Sequence, residues 1–432
     1  MLEAFGIIAF VFAILFSIAW HELGHLIPAK KFGVKVTQYM IGFGPTLWSR
    51  KKGETEYGVK AIPFGGYIRM IGMYPPGPDG KVKSSSTGRL SAMIEDARSQ
   101  AREEVITPED EKRSFYQLSS PKKLVVMLGG PVMNLILAFI LFSILLVGFG
   151  TPTTTLTVSE VAPCTPSLSA SQDTNGCAPG AAKSPAAAAG LQVGDVITSY
   201  NGTAMNSWQQ LSDAIRQSPA GPAVLGVTRN GQSLTLNPNV QVVTRAVIVN
   251  GQVTKDVAPQ GFLGMGPEIA LQPQPITAVP AQMWDLSVRT AQALVAIPSK
   301  LIGVGQAAFG GEERDPNGPI GVVGVTRISG EVAGAQVPAN LKVVQFLGMV
   351  ASLNLFLFLF NLIPLLPLDG GHVAGALWEG ARRQIARLRH RPDPGPVDVA
   401  KALPLAYAVA FILIGMSALL LYADVVKPVK IG

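Results

Sequence analysis

The sequence predicts a polytopic α-helical membrane protein. Four transmembrane helices are expected, with a membrane-associated β-hairpin and an extracytoplasmic β-rich domain inserted between spans. Three observations lead there. The chain has 432 residues, of which 48% are hydrophobic and only 15% charged, too apolar for a soluble protein of this size. Stretches at 1–29, 124–148, 343–366 and 403–423 are long and apolar enough to cross a bilayer. Between the second and third, residues 151–267 turn Thr- and Val-rich and carry no apolar run of membrane length.

The first span is an apolar run over 5–19, broken only by Ser17, and 26–29 extends it. A cleaved signal peptide is the competing reading. Glu3, the lack of a basic residue before the apolar core and the lack of an A-x-A site argue for a retained span. Residues 30–123 carry Lys30, Lys31, Lys35, Arg50, Lys51, Lys52, Lys122 and Lys123 close to membrane, which puts this region in the cytoplasm and the N-terminus outside. Within it, 34–47 and 57–70 alternate and are rich in β-branched and aromatic residues, punctuated by Gly42, Gly44, Pro45, Pro63, Gly65 and Gly66. They read as strands of a hairpin over 34–70, either membrane-associated or an ordinary cytoplasmic loop. A strand edge beside a reactive site can hold an extended peptide by strand addition. Residues 79–113 read as a charged, solvated insert, helix-prone around 93–105. The second span contains Gly129, Gly130 and Pro131, which suit helix packing, and Asn134, which can bond to a neighbouring helix or a substrate.

Residues 151–267 lie outside by alternation. Cys164 and Cys177, in a Pro/Ala/Ser/Gly-rich segment at 163–189, can form a local disulfide there or remain a free pair. Then come Ala189-Gly190-Leu191-Gln192-Val193-Gly194-Asp195-Val196-Ile197, a helical stretch at 207–217, and strands at 223–229 and 233–236 joined by Asn230-Gly231, a strong hairpin turn. This order resembles a PDZ domain of the bacterial protease type. Residues 268–342 read as amphipathic and juxtamembrane, with one or two helices over 276–309 lying on the outer surface or packing on the inserted domain. After the third span, Pro364 and Pro367 should break the helix and leave Asp369 on irregular backbone. Residues 367–402, with Arg382, Arg383, Arg387, Arg389 and Arg391, read as a basic cytoplasmic loop, and the fourth span puts the C-terminus outside.

The chemistry centres on His21-Glu22-Leu23-Gly24-His25. On a helix His21 and His25 share a face and can bind one zinc ion, while Glu22 beside them can accept a proton from water. Two structural histidines and a snorkelling glutamate are the bland alternative, but such groups on a membrane helix are costly unless they coordinate something. The chain has four histidines and two cysteines, so any metal site draws on a short list and a four-cysteine zinc site is excluded. A catalytic zinc takes three protein ligands. Asp369 and His372 are the candidates for the third, and Gly370-Gly371 offers a flexible backbone to deliver it. The formal charge of +7 fits basic cytoplasmic loops, and no nucleic-acid partner is expected.

H-E-L-G-H in the first span, N-x-x-P-x-x-P-L-D-G-G-H over 361–372 and the PDZ-like insertion together resemble the site-2 protease family of intramembrane zinc metalloproteases. The closer likeness is to its bacterial regulator-of-sigma protease branch, over nearly the whole chain outside 79–113 and 163–189. The resemblance implies an enzyme of the bacterial inner membrane with Zn2+ as cofactor. It would cut transmembrane segments of pre-trimmed single-span proteins such as anti-sigma factors. By motif, the zinc ligands would be His21, His25 and Asp369, the catalytic base Glu22, and the residue binding substrate backbone Asn361. Gly42, Phe43, Gly44 and Pro45 would belong to the membrane-associated hairpin and touch substrate, and the PDZ-like domain would bind peptide or protein ligands. Many branch members carry two tandem PDZ domains, whereas this chain has room for one clear copy. A membrane metal transporter and a non-catalytic PDZ scaffold are the rivals. Neither explains Glu22 inside the motif.

Overall fold

The computed structural model describes residues 2–75, 107–165, 177, 182–249, 252–311, 314–315 and 318–429. The chain forms two compact units, one of Met1–Gly148 with Pro275–Gly432 and the other of Phe149–Gln274. Most of the insert expected at 79–113 lies outside the described residues. Its end forms a short helix, Pro108–Lys112, capped by the Thr107 hydroxyl.

Among the described residues, the first unit contains five helices long and apolar enough to cross a membrane. They are α1 (Leu2–Lys31), α2 (Ser120–Ser143, continued by a π-helical stretch Ile144–Phe149), α4 (Ala278–Gly310), α6 (Ala339–Asn361) and α8 (Leu403–Val426). Four correspond to the expected spans. The fifth, α4, occupies the stretch read as amphipathic, as one continuous helix rather than two. α1 and α2 cross tightly at Gly24 and Gly129, where a Cβ on either residue would strike the other's carbonyl oxygen. That approach needs two glycines. Ser17, one turn above His21, accepts from Asn354 Nδ2 at 2.9 Å and ties α1 to α6. A short helix, α5 (Val322–Gly334), packs on the start of α1 through Ser329 Oγ donating to the Gly6 carbonyl at 3.0 Å.

The region after the third span departs from expectation. α6 ends at Asn361, before Pro364, so this helix starts and stops earlier than 343–366. Residues 369–388 are not a loop but a helix, α7 (Asp369–Leu388), and Asp369 is its first residue rather than a point on irregular backbone. The prolines do break the chain's helical run, but only for one tight turn. Gly370 and Gly371 serve contact, not flexibility. A Cβ on Gly370 would strike the Ile363 carbonyl, and one on Gly371 would come within 2.6 Å of the Leu366 nitrogen.

Strands β1 (Val36–Lys52) and β2 (Thr55–Met70) pair antiparallel. Both bend, so residues 38–41 find partners on two sides, at 56–59 and at 66–69. Gly42 and Gly44 hold φ of +90° and +81°, which L side chains rarely adopt. The pair docks on α1 through Tyr39 OH donating to the Ala19 carbonyl at 2.7 Å.

In the second unit, β3 (Thr151–Val161), β4 (Val196–Tyr200), β5 (Leu225–Arg229), β6 (Gln232–Leu236) and β9 (Met265–Gln272) form one sheet in the order β9-β3-β4-β5-β6, with Thr203–Ala204 added at β4. β7 (Asn239–Val249) and β8 (Gln252–Phe262) form a second, with Gly221–Pro222. A helix, α3 (Trp208–Gln217), is capped by Ser207 and buries Leu211 and Ile215 against Val158, Ile197, Leu225 and Leu263. Asn230 and Gly231 make the β5–β6 turn with φ of 51° and 80°. Buried Asp195 accepts from the Gln192 amide and from Arg229, whose guanidinium holds its carboxyl below the ordinary carboxylate range. Cys164 and Cys177 are joined as a disulfide.

Candidate metal centre

The last turns of α1 present His21 and His25 on one face, as residues four apart must be. α2 orients both rings. His25 Nδ1 lies 2.8 Å from the Val126 carbonyl, so it carries the proton and leaves Nε2 with a free lone pair. His21 Nδ1 lies 3.1 Å from Asn134 Nδ2, while Asn134 Oδ1 is buried without a hydrogen-bond partner. Exchanging the two ends of that amide lets His21 Nδ1–H donate to Oδ1 and leaves His21 Nε2 with its lone pair. Both Nε2 atoms then face Asp369 at the start of α7.

The three ligand atoms form a small triangle. His21 Nε2 to Asp369 Oδ2 is 3.1 Å, His25 Nε2 to His21 Nε2 is 3.2 Å, and His25 Nε2 to Asp369 Oδ2 is 3.4 Å. Two ligands at about 2.05 Å from a tetrahedral zinc lie about 3.3 Å apart, so the donor set fits that ion. Space is kept for it by Gly130, where a Cβ would run into Nε2 of both histidines. Gly130→Ala should therefore push both imidazoles off their positions and lower zinc affinity by at least the roughly 10–100-fold that disturbing a ligand's orientation costs. Zinc competition with a chelator measures it. Gly415→Ala, whose methyl would meet nothing within 4 Å, is the control that should change nothing.

Glu22 stands beside the triangle and is not part of it. Among the described residues the group whose ligand atoms all lie within 4.8 Å of one another is His21, His25 and Asp369. β2 crosses over Glu22 at Gly66, where a Cβ would sit 3.0 Å from Glu22 Cγ. Burial and the charge of Glu22 push the Tyr39 phenol up to about 12, so it remains a neutral donor at working pH.

The other expected residues fall elsewhere. His372 lies one turn along α7 and lines a small cavity with Lys123 and Glu379, outside the ligand triangle. Asn361 ends α6, its amide donating to the Leu357 carbonyl at 3.0 Å. Phe43 stacks on Tyr67, and with Gly44 and Pro45 is exposed. Gly42 packs instead against the Ile62 carbonyl. The hairpin residues brought onto Glu22 are Gly66 and the Ile68 backbone, on β2, rather than 42–45. The Val126 carbonyl was not foreseeable, since a backbone acceptor leaves no trace in residue type.

Residues 9–392 match peptidase family M50. The chain is 34% identical to the zinc metalloprotease Rip1 of Mycobacterium tuberculosis (strain ATCC 25618 / H37Rv), over the full length of both chains. Identity is also 34%, again over 100% of both chains, with Rip1 of Mycolicibacterium smegmatis. The zinc metalloprotease RasP of Shouchella clausii is 26% identical over 86% of this chain and 89% of its own.

Proposed function

The chain belongs to peptidase family M50, and we propose from that premise that it is an intramembrane zinc metalloendopeptidase built on His21, Glu22, His25 and Asp369. The observation that carries this reading is the triangle of ligand atoms with Glu22 one residue from His21 and free of it. His21, His25 and Asp369 hold the metal. When bound, zinc supplies Lewis acidity to the scissile carbonyl and acidifies a water. Glu22 takes the proton from the attacking water and returns it to the leaving amine. Val126 and Asn134 keep the imidazoles aimed, and Tyr39 pins the hairpin to α1. A transporter would need no base at Glu22, and a scaffold would need no acidic group kept clear of the ligands.

Four crossings suffice for the topology. Ser329 joins α5 to the start of α1, and Gly324 of α5 donates to Asp424 at the end of α8 at 2.8 Å. Phe309, near the end of α4, stacks on Tyr422 of α8. The start of α4 follows Gln272, which pairs with Thr151 just past α2. Both ends of α4 thus belong to one side, and a continuous helix of 33 residues with both ends on one side lies along the surface rather than crossing. The N- and C-termini, the inserted unit and α4 are then extracytoplasmic, and the zinc site is toward the cytoplasm of a bacterial inner membrane. The substrates are single-span proteins already trimmed outside, of the anti-sigma type, and the PDZ-like inserted unit binds peptide or protein ligands. Membrane proteomics comparing wild type with Glu22→Ala tests this. Single-span proteins with shortened outer domains should accumulate in the variant, and their absence would count against the reading.

The hairpin is the clamp for the unwound substrate. A helix opened for cleavage exposes N–H and C=O groups that need partners where water is scarce. Among the described residues, 66–69 and 48–51 each have pairing partners on one side only, whereas 38–41 and 56–59 have them on both, and of the two open edges 66–69 is the one beside Glu22. Strand addition therefore occurs at 66–69, over Glu22, without reading side chains. In the Glu22→Gln protein, cysteine at Tyr67 or Arg69 should cross-link to cysteine placed in the substrate near the cut. Cysteine at Tyr39 should not. Cross-links confined to the spans would reduce the hairpin to a cytoplasmic loop.

A further inference from the structure

We infer that Glu379 and Lys123 are positioning residues for the metal centre, their buried ion pair fixing α7 along α2 so that Asp369 reaches the histidines. The inference rests on the reading of Asp369 as a metal ligand. Glu379 is 2% exposed and Lys123 5% exposed, and their charges meet at 2.7 Å. The Glu379 carboxylate also accepts from Ser120 Oγ at 3.1 Å and from the Val397 amide at 3.1 Å, and the Arg383 guanidinium stands 3.3 Å away as a second counter-charge. Three donors from α2 and the chain after α7 hold its two oxygens, which fixes the carboxylate in place. It lies on α7 ten residues beyond Asp369, about 15 Å along the axis.

α2 contributes no metal ligand, yet both ligand sets are referenced to it. Ser120, Lys123, Gly130 and Asn134 fall on one buried stripe of this helix. Its first turn holds α7 through Glu379. Its middle holds the histidines through Val126 and Asn134 and clears their Nε2 atoms at Gly130. Asp369 is the first residue of α7, so its backbone is carried by that helix and the turn packed beneath it. Its reach to the metal is set by where the whole helix sits. With α7 free to slide or rotate by even half an ångström, the 3.1 and 3.4 Å edges that Asp369 makes would no longer match a tetrahedral ion.

A second buried pair provides the control. Arg314 and Asp424 meet at 2.8 Å, with side chains 3% and 1% exposed, at the other end of the bundle and away from α7. Breaking either pair leaves an uncompensated buried charge and lowers stability. Only the first should reach the metal. In purified full-length protein, Glu379→Gln and Lys123→Met should weaken zinc binding by roughly 10–100-fold. The visible spectrum of the cobalt-loaded protein should change with it. Lys123→Arg, which keeps the charge, should restore both. Asp424→Asn should lower the melting temperature with zinc affinity and cobalt spectrum unchanged. If Glu379→Gln weakens zinc no more than Asp424→Asn does at equal loss of melting temperature, the pair is merely structural and the inference fails. Should Asp369→Ala leave zinc affinity intact, the ligand reading itself fails, a separate result.

Discussion

Glu22→Gln retains zinc and loses cleavage. The side chain stands next to His21 but outside the ligand triangle, so a neutral isostere removes nothing that holds the metal. On the proposed reading, what it removes is the acceptor for the proton of the attacking water and the donor to the leaving amine. General acid–base groups contribute on the order of 10²–10⁴-fold, so turnover of a membrane reporter should fall by at least that factor. Gly66 already packs on Glu22, and glutamine fills the same volume, so the hairpin should stay docked. Zinc content and single-turnover cleavage, measured on the same preparation, decide the matter. Turnover near the wild-type rate would remove Glu22 from the chemistry.

Asp369→Ala empties the metal site, and His372→Ala does not. Asp369 supplies one of three ligand atoms, and its Oδ2 forms two of the three edges of the triangle. Losing a direct ligand should cost more than the roughly 10–100-fold typical of an outer partner. His372 sits one turn further along α7, in the small cavity beside Lys123 and Glu379. Its removal should leave zinc stoichiometry unchanged, though it opens a void there. Metal analysis of the two variants gives the answer directly. Zinc lost from His372→Ala and kept in Asp369→Ala would reverse the assignment.

The parts of this centre differ in how far residue order reveals them. His21, Glu22 and His25 lie within one helical repeat, so their shared face follows from spacing alone. Asp369 is 344 residues beyond His25, and its type and its neighbourhood to a broken span were readable. Its backbone was not. Pro364, Pro367, Gly370 and Gly371 all argue locally against helix, yet α7 starts at Asp369 because both glycines pack under the 362–368 turn. Tertiary contact overrode propensity there. The strands of the hairpin were legible by alternation. The free edge was not, because bends near Gly42, Gly44 and Gly65 give 38–41 two partners and leave 66–69 with one. Asn134 was recognisable as a polar group at depth, and its partner turned out to be His21. The Lys123–Glu379 pair joins residues 256 apart, each of which reads alone as an ordinary charged residue, one in the first turn of α2 and the other in the middle of α7.

The most direct measurement is mass spectrometry of the products formed in proteoliposomes that contain the purified protein and a trimmed single-span reporter. New termini should fall within the reporter's apolar segment, disappear when zinc is chelated, return when zinc is restored, and be missing with Glu22→Gln. Termini outside the apolar segment, or cutting that persists after chelation and in the Glu22→Gln protein, would contradict proteolysis by a zinc centre inside the membrane.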